Sequence, residues 1–114
     1  MPQEQKKKPE PYKIKFLATA AQEVKDIIRD SQRDFGTAAA QKIREDLVTK
    51  TKELLSQNPF LGRPLYEYPG YEKKGVRRYL PHQHFSILYI VVNDTVEIWH
   101  VWDNRRDWIT LTTD

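Results

Sequence analysis

Cysteine is absent from the sequence, which excludes disulfides, thiolate metal sites and cysteine nucleophiles and suits a reducing compartment. No run approaches the roughly 18 consecutive apolar residues that a membrane-spanning helix needs. The N-terminal stretch from Met1 to Pro11 is polar and lacks the apolar segment of a secretory signal, so a cytoplasmic address is the expectation. Glycine-rich phosphate loops are missing, and Ser86 has no glycine-flanked elbow of the kind that presents a nucleophilic serine. Histidine is scarce. His82 and His84 are two apart and could share a strand face, but Pro81 sets His82 at an edge or turn and no third ligand can be named. Neither a metal nor a cofactor is expected.

What is present suits one ordinary globular domain: 114 residues, 39% hydrophobic and 31% charged. The formal charge of +3 invites a polyanionic partner until its location is considered. Lys6, Lys7, Lys8, Lys13 and Lys15 against Glu4 and Glu10 already supply all of it, so the other ninety-seven residues are neutral. Residues 1–11 read as a flexible polar extension and residues 12–114 as a single domain. An argument for function has to rest on local clusters.

Hydrophobic periodicity places the elements. Tyr12, Ile14 and Phe16 alternate with lysines, as in a strand with one buried face. Thr19-Ala20-Ala21-Gln22 has the form of a capping box, and Ala20, Val24, Ile27, Ile28 and Phe35 continue a helix over about 20–35, with Gly36 as its left-handed stop. Thr37 is a plausible second N-cap. Ala40, Ile43, Leu47, Thr51, Leu54 and Leu55 form an apolar stripe that ends before Asn58-Pro59. The alternating charges from Lys25 to Asp34 read as a solvated face. Pro59 to Gly75 is too rich in proline, glycine and tyrosine for helix or ladder and is expected to be an ordered loop. Val76–Leu80, Phe85–Val92 and Thr95–Trp102 form a meander with a hairpin turn at Asn93-Asp94. The unbroken apolarity of Phe85–Val92 makes that strand central. The expected fold class is α+β, ordered β-α-α-β-β-β, with a helical hairpin packed on a small, mostly antiparallel sheet.

Chemistry concentrates in the C-terminal part: Lys73, Lys74, Arg77, Arg78, His82, His84, His100, Arg105 and Arg106, interleaved with aromatics. Guanidinium forks bind paired oxygens, and rings between them can stack bases or peptide planes. Six carboxylates in the same part of the chain leave structural ion pairs as the plainer alternative. Tyr89 and Trp99, both in strands, have a plain reading as core or sheet-face packing. His100 reads as a satisfied strand histidine, and Trp108 as a cap on the sheet edge.

The segment Asn58-Pro59-Phe60-Leu61-Gly62-Arg63-Pro64 resembles the one that closes the second helix in ParE-type toxins. Val76–Pro81, Phe85–Tyr89, Val96–Trp102 and Arg105–Trp108 resemble, in order, the strand motifs of the RelE/ParE superfamily. The resemblance runs from about Tyr12 to Trp108 and is more specific for the superfamily than for its target. It implies the toxin of a type II toxin–antitoxin pair, with a cognate antitoxin as partner and one of two modes of action.

A ParE-like toxin poisons DNA gyrase, and Arg77, Arg78, Tyr89, Arg105, Arg106 and Trp108 would be contact residues. A RelE-like toxin cuts messenger RNA on the ribosome. Arg77 or Arg78 and Arg105 or Arg106 would then clamp phosphate, with Arg77 and Arg106 the better placed, and His84 would act as acid or base, because imidazole is the side chain suited to proton transfer near neutral pH. Ser86 stands where RelE-like nucleases carry an arginine shortly before the strand tyrosine, and Asp103 where ParE-like chains often have histidine. The missing arginine and the Asn58–Pro64 segment favour the ParE branch. The ribonuclease is the alternative, and a non-toxic binding module on the same fold is the second.

Overall fold

The computed structural model describes residues 10–105. Strand β1 (Lys13–Phe16) leads into helix α1 (Ala18–Phe35), followed by α2 (Thr37–Arg44), a π-helical turn (Glu45–Thr49) and α3 (Lys50–Gln57). A two-residue strand β2 (Arg63–Pro64) and a one-turn helix α4 (Pro69–Lys73) precede the meander of β3 (Arg77–His82), β4 (Phe85–Val92) and β5 (Thr95–Asp103). The five strands lie in the order β1-β5-β4-β3-β2, with β1 parallel to β5 and every other pair antiparallel. The sheet is the expected one with an additional edge strand. β4 is its middle strand, and Phe85 to Tyr89 are buried without interruption.

The expected capping box does not form. α1 begins two residues earlier, after an extended Leu17 with no side-chain cap. Leu17 donates its N–H to the Ile98 carbonyl of β5 at 3.0 Å, so the link to the sheet sets the helix start and Thr19 already lies in the first turn. Gly36 does stop α1, at a φ of 96° that a side chain would disfavour, and its N–H closes on the Gln32 carbonyl. It also stands at the N-cap of α2, so Thr37 is the first helical residue and not the cap.

The long apolar stripe is interrupted by the π-helical turn, in which the Lys50 N–H reaches back five residues to the Glu45 carbonyl. The extra residue turns Asp46 inward beside Leu47, and Lys42 and Lys50 pair with its carboxylate at 3.2 and 3.5 Å. Leu55 and Thr51 are buried, whereas Leu54 is rotated out and Phe35 projects beyond the hairpin, 74% exposed. Sequence periodicity alone places both in the apolar stripes. Residues 59–75 are also less irregular than expected, since Arg63-Pro64 pairs with Arg77-Arg78 and Pro69 starts a helical turn.

The sheet has two covered faces. α1 to α3 pack on one, over Phe85, Ile87, Tyr89, Val96, Ile98 and Val101. Residues 65–76 lie on the other, where Leu65 and Val76 meet Leu88 and Trp102. Between Ile98 and His100, β5 carries one residue more than β4 opposite it, a bulge at Trp99. Asn93, at a φ of 56°, makes the tight hairpin turn into β5.

Candidate functional site

Arg77 and Arg78 are neighbours in β3, and the pleat sends them to opposite faces. Arg77, opposite Tyr89, points to the helix side. Its guanidinium lies 5.0 Å from the centre of the Phe60 ring and donates to the carbonyls of Gly62 and Phe60. It braces the turn that follows α3. Tyr89 completes that brace from beneath: its hydroxyl accepts the Gly62 N–H at 2.8 Å, and the side chain is 0% exposed. Burial pushes the phenol above its ordinary value, against the opposing pull of the Gly62 N–H and of Arg77. Tyr89 is therefore core and is withdrawn as a contact residue.

Arg78 heads a polar cluster on the opposite face. Nε donates to Ser86 Oγ at 2.9 Å, Nη2 approaches Asn104 Oδ1 at 3.5 Å, and Nη1 lies 3.8 Å from Glu67. Ser86 is itself wholly buried and donates to Asn104. Burial, and then repulsion from Arg63, pull the Arg78 guanidinium below its usual range, against the attraction of Glu67. Arg63 in turn forks onto Glu67 and holds that carboxyl below the usual range. The result is one desolvated guanidinium surrounded by acceptors at the C-terminal end of the sheet.

His84 and Arg105 lie at the β3–β4 turn and the end of β5. The His84 N–H donates to His82 Nδ1 at 3.1 Å, and the two rings are 5.5 Å apart. Burial, the largest influence on His82, lowers its pKa. Arg105 forks onto Asp103, both bonds 2.8 Å, and that contact raises its pKa. Arg77 and His84 do not meet. Arg77 opens β3 and His84 follows its end, and at about 3.3 Å per residue that strand alone separates them by roughly 16 Å. The arrangement expected for strand cleavage, with phosphate clamp and acid or base around one scissile bond, is not assembled from these two. Arg106 and Trp108 lie outside the described residues.

A family profile described as "ParE toxin of type II toxin-antitoxin system, parDE" matches residues 14–108. The chain belongs to the ParE toxin family. It is the toxin component of a type II toxin–antitoxin system, and a cognate antitoxin is its partner. A solved structure from P. aeruginosa, titled "Chromosomal ParDE TA system from P. aeruginosa", is similar to this ParE-family chain at 26% identity and a TM-score of 0.66. The similarity covers 81% of this chain and 95% of that one. No curated protein sequence matches.

Two features of this ParE-family toxin escaped the sequence reading. Ser86 gave a signal, because a hydroxyl inside an apolar strand must find a partner when buried, but nothing local identified that partner as Arg78 or Asn104. Glu23 gave none. β1 ends opposite Ile98, leaving the edge of β5 open beyond it, and Glu23 of α1 closes that edge by accepting the Val101 N–H at 2.9 Å while its other oxygen meets His100 Nδ1 at 3.3 Å. His100 is thus partnered, as its strand position suggested. Among the described residues no group of three metal-binding side chains occurs, and no helix is long and apolar enough to cross a membrane.

Proposed function

We propose that this ParE-family toxin acts in the cytoplasm on DNA gyrase, through the C-terminal end of the sheet where Arg78 and Arg105 lie, and that residues 12–114 form its single domain. The match to the ParE profile over residues 14–108 carries the reading. The separation of Arg77 from His84 favours it over RNA cleavage. Arg106 and Trp108 remain proposed contacts on the strength of their place in the motif, whereas Arg77 is assigned to the brace. Arg105 is the residue best placed to reach a target, since it is exposed and can exchange Asp103 for another carboxylate or a phosphate.

Expression of the chain without its antitoxin should arrest growth, and the purified protein should inhibit supercoiling by gyrase. Arg105→Ala should abolish the arrest with stability changed by no more than about 0.5 kcal/mol, as for other surface sites. Ribosome-dependent cuts in messenger RNA with supercoiling intact would move the assignment to the endoribonuclease. Normal growth at high soluble expression would move it to a non-toxic binding module.

A further inference from the structure

α1 and the C-terminal half of β5 flank a half-open cavity of about 420 Å³. Its walls carry five carboxylates, four from α1 (Glu23, Asp26, Asp30 and Asp34) and Asp103 from β5, against only two guanidinium groups, Arg29 and Arg105. Arg33 bridges Asp30 and Asp34 from outside the lining, and the carboxylates remain in excess. Ser31 also lines the cavity. It is 7% exposed, and its hydroxyl has no hydrogen-bond partner among the described residues. Phe85 and Trp102 supply ring surface in the same wall, and exposed Phe35 stands at the end of α1 as part of the lining.

We propose that this cavity receives a basic side chain, arginine or lysine, from the antitoxin, with an apolar neighbour of that residue resting on Phe35. The proposal deepens the toxin–antitoxin assignment and rests on it. A cation entering here meets surplus carboxylate charge, an unused hydroxyl acceptor in Ser31 and an aromatic face, the three features that a guanidinium or ammonium group uses at once. An anion would meet the same surplus of carboxylates as repulsion. The exposed Phe35 side chain explains why the ligand should be a peptide and not a free cation: its apolar area is covered only if the basic residue arrives with neighbours.

The test uses the full-length toxin and the purified antitoxin encoded beside it, with affinity measured by titration calorimetry and growth arrest scored without antitoxin. The Asp26→Asn, Asp30→Asn double variant should bind antitoxin about tenfold more weakly or worse, as expected when a desolvated charge loses its partners. The gap should narrow as salt rises, because the pairs are partly exposed. Ser31→Leu, which fills the cavity without changing charge, should weaken binding too, and the exposed Phe35→Ala should do so severalfold with an unchanged melting temperature. Growth arrest by each variant should match that of the unsubstituted chain. Unchanged antitoxin affinity in the charge variant and in Phe35→Ala would overturn the proposal, as would affinity lost equally at all salt concentrations. Lost growth arrest with unchanged affinity would overturn it as well, by assigning the carboxylates to target binding. If the unsubstituted chain fails to arrest growth, the gyrase reading fails, while the affinity comparison still decides the cavity.

Discussion

The two faces of the sheet are covered by different means. On the helix side, residues recur with helical and strand periods, and Ala20, Val24, Leu47 and Leu55 interlock with Ile87, Val96 and Ile98 in one continuous apolar layer. On the other side a short irregular segment supplies Leu65 and Val76, and the apolar patch gives way to the Arg78, Ser86 and Asn104 cluster. The first face carries most of the apolar burial, whereas the second leaves room for desolvated polar groups. The main core and the Arg78 cluster are thus divided between opposite sides of the same strands: in β4, Ile87 and Tyr89 face one way and Ser86 the other.

Core truncations should separate the faces most sharply. Leu47 and Leu65 are both wholly buried. Leu47→Ala should cost about 3–5 kcal/mol, because helices on a rigid sheet collapse poorly around a void, and Leu65→Ala about 2 kcal/mol, because residues 65–76 can settle inward. Thermal melts check this, at roughly 4–8 °C per kcal/mol for a domain of this size. Equal losses would erase the distinction.

The turn between the faces should respond next. A Cβ on Gly62 would lie 2.7 Å from the Arg78 carbonyl oxygen and 2.8 Å from the Tyr89 hydroxyl. One of these is backbone and cannot step aside. Gly62→Ala should therefore destabilise by about 1–3 kcal/mol. Tyr89→Phe, which strands the Gly62 N–H, should cost a similar 1–3 kcal/mol or so. A double-mutant cycle should find the two far from additive, since they strike one contact.

The smallest effect is one of pH. Burial depresses the His82 pKa in the folded state, so below about pH 6.5, the ordinary histidine value, the unfolded chain takes up a proton that the folded chain still declines. Stability should be full above that pH and fall as the pH drops through the lowered folded value. His82→Gln should flatten the profile between pH 7 and pH 5. A stability that rose on acidification in the parent and not in the variant would reverse the assigned sign.

Periodicity and composition revealed the meander, the hairpin turn at Asn93, the stop at Gly36 and the central place of Phe85–Val92, because each depends on residues adjacent in sequence. The failures have one physical origin. The start of α1 is decided by a bond from Leu17 to Ile98, the brace at Gly62 by Tyr89, and the partner of Ser86 by Asn104, all contacts between segments far apart in the chain. The clustered arginines were legible as residues but not as a site. Adjacent positions in a strand face opposite ways, so Arg77 and Arg78 could not both serve one surface, and that follows only once the register to β4 is known.

The π-helical turn at Glu45–Thr49 has a consequence for the history of the chain. It holds one residue more than an uninterrupted α-helix would need, and the widened turn absorbs that residue, which in regular α-geometry would rotate everything after it by about 100°. Removing one residue there would restore a straight helix with Thr51 and Leu55 still on the core, whereas closing the turn without that deletion would carry them off it and bring Leu54 in. Relatives that differ in length by a single residue within this helix should therefore place the gap between Glu45 and Thr49 and keep the apolar stripe after it in place. Their α1, which ends before the turn, should keep its pattern unchanged.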